Sequence, residues 1–246
     1  MSPTRPVALV TGAARRIGAV IARQLHAAGY DLALHYRNSA AEAVALHDEL
    51  EALRPGSTLL LQADLAATAL LPGMIEATAE RFGRLDALVN NASAFFPTPL
   101  GAVDEAAWDA LFASNAKAPF FLAQAAAPLL ARAGGAIVNL VDIYAERPLQ
   151  GHTVYCMAKA ALAMLTLSLA RELGPAVRVN GVAPGPILWP EAGPGYADRD
   201  ALVESTALKR TGEPGDVAAA VLWLLREARY TTGEIVRVDG GRMLAI

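Results

Sequence analysis

A chain of 246 residues, 54% of them hydrophobic, is long enough to bury a sizeable core as one α/β domain or two small ones. Its formal net charge of -3 gives no electrostatic reason to expect nucleic acid or an anionic membrane as a partner. The single cysteine, Cys156, excludes an intrachain disulfide and a multi-cysteine metal site, and fits a reducing compartment.

Short β-rich runs alternate with alanine-rich helical stretches along the whole chain. Residues 7–10 read as a strand and 17–28 as a helix; 31–36 is the second strand and 39–53 the next helix. Strands at 58–61, 87–90 and 136–141 are separated by helices near 67–81 and 105–132. A long helix at 153–173, a strand at 177–182, a helix at 214–226 and a strand at 234–238 complete the set. Continuous apolar strands separated by helices imply a parallel sheet covered on both faces, a doubly wound α/β fold. No linker divides the chain, so 1–246 reads as a single domain. Residues 184–207, rich in Gly and Pro, exceed an ordinary connection and follow a strand end, where such folds bind ligands; they read as a substrate loop.

The N-terminus lacks a charged region followed by a signal-length apolar stretch, and the apolar run at 162–170 is broken by Thr166 and Ser168. The expected address is the cytoplasm. Histidines at 26, 35, 47 and 152 have no metal-ligand spacing, so no metal is expected.

The first strand runs into Thr11-Gly-Ala-Ala-Arg-Arg-Ile-Gly18 and then a helix. Gly12 can make the tight turn, and Gly18 lets the helix pack closely, bringing a helix N-terminus up to a pyrophosphate. A site for NAD usually carries Asp or Glu at the end of the second strand to hold the ribose 2′-OH. Here that end reads His35-Tyr36-Arg37-Asn38-Ser39, with no acid before Glu42. Arg37, Asn38 and Ser39 can donate to a 2′-phosphate, with Arg15 as a nearby cation, so NADPH is the expected cofactor. Ser39 also suits a helix N-cap. Asp64, beside Leu65 after the third strand, can accept from an adenine amino group or cap a helix. Asn90-Asn91-Ala92-Ser93 ends the fourth strand, where side chains and free backbone groups would face the cofactor, although paired asparagines are also common turn chemistry.

Tyr155-Cys-Met-Ala-Lys159 puts a phenol and an ammonium on one face of a helix. A free phenol, with a pKa of ~10, is a poor acid at neutral pH, and a nearby ammonium lowers that value. Tyr155 could then give a proton as hydride arrives on a neighbouring atom. Cys156, adjacent on the helix, points away from this face and reads as a buried structural thiol.

With Thr11-Gly…Gly18, Asn90-Asn-Ala, Asn115, Tyr155-x-x-x-Lys159 and Pro184-Gly185 together, the chain resembles the short-chain dehydrogenases/reductases throughout. The resemblance implies that Tyr155 donates the proton, Lys159 also binds the nicotinamide ribose, Asn115 holds a water linking Lys159 to solvent, and Pro184 and Gly185 border the nicotinamide. Two positions depart from that pattern. Arg16 stands where a small residue is usual, and Asp142 where serine is usual. A serine hydroxyl donates to a carbonyl oxygen, whereas an ionised carboxylate cannot and would repel charge growing there. Asp142 can instead accept from a ring N–H, stabilise a protonated imine, or donate if burial raises its pKa. That moves the expected substrate from a ketone toward a C=N bond.

Both departures occur together in pteridine reductases, which the chain closely resembles, with dihydromonapterin reductases nearby. The match runs through Pro6-Val-Ala-Leu-Val-Thr-Gly-Ala-Ala, Arg16-x-Gly18, His35-Tyr…Ser39-Ala-Ala-Glu-Ala43, Asn90-Asn-Ala-Ser-x-Phe95-x-Pro-Thr-Pro-Leu100, Asp142 and Tyr155-x-Met-Ala-Lys159. It implies that Phe95 stacks on a pterin held against the nicotinamide, that Ser93 contacts the pterin edge or a phosphate, and that Arg16 reaches pyrophosphate and substrate. Gly12, Arg15, Arg16, Ile17, Gly18, His35, Tyr36, Asp64, Leu65, Asn91 and Ala92 fall among the expected cofactor contacts. Trp189 reads as a substrate-loop contact or a staple closing that loop. His152, where relatives carry tyrosine, and the 187–189 segment would set tolerance for the pterin side chain. The resemblance also implies a homotetramer. Competing readings are a carbonyl reductase for an acyl, sugar or quinone substrate, and a silent NADPH-binding protein.

Overall fold

A computed structural model describes residues 5–189 and 199–244. Its strands are β1 (Val7–Val10), β2 (Asp31–Tyr36), β3 (Thr58–Gln62), β4 (Ala87–Asn90), β5 (Ala136–Leu140), β6 (Arg178–Pro184) and β7 (Ile235–Val238). They form a seven-stranded sheet in the order β3-β2-β1-β4-β5-β6-β7, every pairing parallel. The helices are α1 (Arg16–Ala27), α2 (Ala40–Leu53), α3 (Leu71–Phe82), α4 (Glu105–Phe112), α5 (Ala118–Ala133), α6 (Thr153–Leu173), α7 (Arg199–Glu204) and α8 (Pro214–Arg226).

Most strand positions are apolar because helices cover both faces. Val7 and Leu9 point to one side, joining Leu88, Ile137 and Val179 beneath α3, α5 and α6. Ala8 and Val10 point to the other, with Ala87, Val138 and Val182 beneath α1, α2 and α8. Each fully buried Leu, Ile or Val contributes about 1.5–3 kcal/mol relative to exposure. Helix α6 is long and apolar enough to cross a membrane, but it packs on β6, and its buried side carries Lys159 and Thr166.

The direction of winding reverses at β1, which pairs with β2 on one side and β4 on the other. Such a reversal opens a crevice at the C-terminal ends of the strands. The loops after β1, β4, β5 and β6 all leave from that edge, carrying Gly12, Asn91, Asp142 and Gly185.

Two predicted elements differ in detail. The helix expected over 105–132 is α4 and α5 joined by a π-helical turn, Ala113–Lys117. Within the expected loop at 184–207, Pro184 still belongs to β6 and Arg199–Glu204 forms α7, while 190–198 lie outside the described residues.

Candidate active site

The turn after β1 has room for no side chain at its two glycines. Gly12 has φ +62°, and a Cβ there would lie 3.0 Å from Ala92 Cα. At Gly18, a Cβ would come within 2.1 Å of the Gly12 carbonyl oxygen and 2.6 Å of Asn91 Nδ2. Asn91, just after β4, clamps this turn: its Nδ2 donates to the carbonyls of Thr11 (2.9 Å) and Gly12 (3.1 Å). The N–H groups of Asn91 and Ala92 both donate to Thr11 Oγ1.

His35 sits beneath the turn rather than beside Arg37 at the surface. Its Nδ1 accepts from Gly12 N–H at 3.1 Å, which leaves Nε2 to donate to the Ala63 carbonyl at 3.1 Å. Burial pushes its pKa down, in keeping with this neutral ring. Nothing in the sequence signals that this histidine ties the loops after β1 and β3 to β2; its contact with the cleft runs through Gly12.

Beyond β2, Arg37 and Asn38 are exposed, Tyr36 and Ser39 half-buried, and Arg15 is exposed in the first turn. Ser39 stands at the start of α2, but its side chain makes no capping hydrogen bond. Asp64 Oδ1 accepts from Ala66 N–H at 3.0 Å in a turn before the next helical segment and caps no helix, while Leu65 is buried.

The residues expected to react meet where α6 crosses the end of β5. Tyr155 donates its hydroxyl proton to Asp142 Oδ2 at 2.6 Å, and Asp142 Oδ1 accepts from Tyr144 N–H at 2.9 Å. Lys159 is buried, donates to the Leu140 carbonyl at 2.7 Å, and lies 5.8 Å from the centre of the Tyr155 ring. Burial lowers the Lys159 pKa to about 8, opposed by the charge of Asp142. Burial raises the Asp142 pKa, opposed by its bonds to Tyr155 and Tyr144 and by Lys159. Each group is thus easier to neutralise than in water.

Asn115 lies in the π-helical turn, a distortion frequent at functional sites. Its amide donates to the carbonyls of Leu111 and Ala94, both at 2.9 Å, and its Oδ1 accepts from Ser93 Oγ at 2.7 Å. Asn115 therefore ties the loop after β4 to the helix behind it.

An aromatic wall stands beside Tyr155. The Phe95 ring stacks on His152, centroids 4.8 Å apart and planes 13° from parallel, and meets Tyr155 edge-on at 4.8 Å. Phe96 packs into the same cluster with Leu111 and Val154. Thr98 N–H donates to the Gly151 carbonyl at 2.6 Å, holding the Phe95 loop against the start of α6. The sequence placed Phe95 and His152 at one site without predicting that they stack on each other.

Arg16 adopts φ +54°, a left-handed conformation that costs a non-glycine residue roughly 1–2 kcal/mol. Its guanidinium donates to the carbonyls of Trp189 (3.0 Å) and Leu188 (3.5 Å). The Arg199 guanidinium lies 5.1 Å over the Trp189 ring. These contacts staple the 188–189 segment to Arg16 and to the start of α7. At Gly185 a Cβ would come within 2.7 Å of Asp239 Cα, so the chain after Pro184 runs tight against the loop after β7.

A family model described as "Enoyl-(Acyl carrier protein) reductase" matches residues 12–242. Pteridine reductase 1 of Leishmania tarentolae is 41% identical, over 99% of this chain and 98% of the relative. The 3-oxoacyl-[acyl-carrier-protein] reductase FabG of Staphylococcus epidermidis is 37% identical, over 95% of this chain and 97% of the relative. With a parallel doubly wound sheet, a glycine-lined turn after β1 and a Tyr155–Lys159 pair on α6, the chain belongs to the short-chain dehydrogenase/reductase family of oxidoreductases.

Proposed function

We propose that the chain reduces a pterin with NADPH, and that the hydrogen bond between Tyr155 and Asp142 carries this reading. A ketone reductase needs a donor aimed at the carbonyl oxygen where charge develops. A carboxylate 2.6 Å from the tyrosine hydroxyl opposes that charge, but it suits a ring nitrogen that must gain a proton.

The cradle fits a dinucleotide, since Gly12 and Gly18 let the turn after β1 and the start of α1 pack against each other and against the loop after β4, which brings the N-terminus of α1 up to the cleft. Gly12, Arg15, Arg16, Ile17 and Gly18 would hold the pyrophosphate, with His35 fixing Gly12 from below. Tyr36, Arg37, Asn38 and Ser39 would surround the 2′-phosphate, and Asp64 and Leu65 the adenine. Asn91, Ala92, Ser93, Pro184 and Gly185 would flank the nicotinamide, with Lys159 on its ribose. When bound, NADPH supplies the hydride.

The protein's part is to orient the pterin and move the proton. Phe95 offers a flat apolar face, while Ser93, Arg16 and Trp189 offer polar and aromatic contacts around it. Tyr155 gives its proton to the ring nitrogen, and the Asp142 carboxylate, which accepts from that hydroxyl at rest, holds it in place. Lys159 stabilises the transient phenolate. Apolar residues exposed on α4 to α6, among them Trp108, Phe120, Met157, Met164 and Leu167, support self-association as a homotetramer.

The likeness to 3-oxoacyl-[acyl-carrier-protein] reductase favours a second reading, carbonyl reduction. Loss of NADPH absorbance with dihydrobiopterin, dihydromonapterin or dihydrofolate, compared with β-ketoacyl thioesters, quinones and sugars, separates the two. Turnover of pterins supports the proposal; turnover of ketones alone, or tight NADPH binding without any turnover, overturns it.

A further inference from the structure

We propose that Asn139 and Thr166, remote from the cleft, are positioning residues that hold α6 in axial register on β5 and so set the geometry between Tyr155 and Asp142. The inference rests on the reading that this pair manages the proton.

Three polar contacts join α6 to β5 and its extension. Thr166 Oγ1 accepts from Asn139 Nδ2 at 2.9 Å, Lys159 Nζ donates to the Leu140 carbonyl at 2.7 Å, and Tyr155 donates to Asp142 at 2.6 Å. Tyr155, Lys159 and Thr166 lie at i, i+4 and i+11, one face of the helix, while their partners advance along the strand in the opposite direction. The rungs therefore span about 16 Å of helix. Apolar packing beneath α6, from Leu162 and Ala170, is non-directional and resists sliding poorly.

The three rungs are not equivalent. Lysine has a flexible four-carbon stem, so the middle one tolerates a slip. The Tyr155 rung must open and close if it handles a proton. The Asn139–Thr166 rung is both rigid and chemically idle: the two side chains are fully buried, and each group donates as well as accepts. Asn139 Oδ1 accepts from Asn90 Nδ2 at 2.8 Å, and the Thr166 hydroxyl donates to the Leu162 carbonyl at 2.9 Å. Flipping the Asn139 amide would oppose donor to donor at Asn90, so its orientation is fixed. Asn90 adjoins Asn91, which clamps the Gly12 turn, so one polar chain ties the cofactor cradle to the axial position of α6.

Thr166→Val conserves shape but deprives Asn139 of its acceptor. Displacement of Tyr155 by a fraction of an ångström should lower kcat roughly 10- to 100-fold. The pH profile of kcat should move, while the pterin KM and NADPH Kd stay within about 3-fold. Thr166→Ser, which restores the hydroxyl, should recover most of kcat; Thr166→Ala carries the same reading should the valine variant not fold. Wild-type kcat and pH profile in the valine variant would overturn the proposal, as would a serine variant that falls as far as valine. If the wild type reduces no pterin, the functional reading fails, and the register is then read without substrate. The tyrosinate absorbance titration, corrected with Tyr155→Phe, should shift between wild type and Thr166→Val; identical curves would overturn it.

Discussion

Tyr155 and Asp142 share a hydrogen bond of 2.6 Å between side chains that arrive from different elements, α6 and the end of β5. The bond puts an acceptor where a carbonyl reductase would want a donor. It also leaves the tyrosine proton directed at a carboxyl whose own pKa burial has raised. Behind the pair, Lys159 is buried with a pKa lowered to about 8. The chemistry of the site thus rests on three groups whose protonation states depend on one another.

The first consequence is a pH dependence. The lowered pKa of Lys159 means that its ammonium is present below about 8 and is lost as pH rises through that value. Turnover at saturating substrate should therefore decline above about pH 8, read from kcat between pH 6 and 10. Lys159→Met should reduce kcat by roughly 10²–10⁴-fold near neutrality and remove that limb. A wild-type kcat that stays flat to pH 10 would contradict this role.

Cofactor choice gives a second prediction. Arg37 is exposed at the end of β2, where no carboxylate is available to hold a ribose 2′-OH. Removing one charge-assisted contact to a phosphate costs about 1.5–3 kcal/mol. Arg37→Ala should thus lower kcat/KM for NADPH by roughly 10- to 100-fold and leave NADH nearly unchanged. An unchanged ratio of the two would remove Arg37 from the site.

A third prediction concerns stability at the opposite end of the sheet. Partial burial pushes the Glu51 pKa up, but bonds from the Thr58 hydroxyl, Gly56 N–H and Thr58 N–H bring it down to about 2. A folded pKa below the unfolded one gives stability that is present above about 4.5 and is lost as pH falls toward 2. Glu51→Gln should lower Tm by about 2–6 °C at pH 7. The difference from wild type should shrink as both are melted at pH 4 and then pH 3. A gap that does not depend on pH would mean that shape, not charge, holds this turn.

Much of the architecture was legible because burial on both faces leaves largely apolar strands such as Val7–Val10 and Ala136–Leu140. The glycines at 12 and 18 were legible because steric need follows from position after the first strand. Asn115 was found by resemblance, but its π-helical turn was not, since residue propensities do not separate an α-helical turn from a π-helical one. His35 was read at the end of the second strand as a cofactor contact, and its ring turns inward to Gly12 and Ala63. Asn139 and Thr166 did carry a signal, each a polar residue on the buried side of an apolar element, and such groups demand partners. Which partners they take depends on how α6 lies across β5, and periodicity does not report that.

Asp142→Ser tests the central claim most directly. Kinetics with a dihydropterin and a β-ketoacyl thioester, alongside the Kd for NADPH, should be compared in wild type and variant. The account predicts that wild type prefers the pterin, and that the serine variant loses pterin kcat/KM by roughly 10²–10⁴-fold. NADPH affinity should change by no more than about 3-fold. Equal losses of NADPH affinity and pterin turnover, or a serine variant that reduces the pterin as well as wild type does, would contradict it.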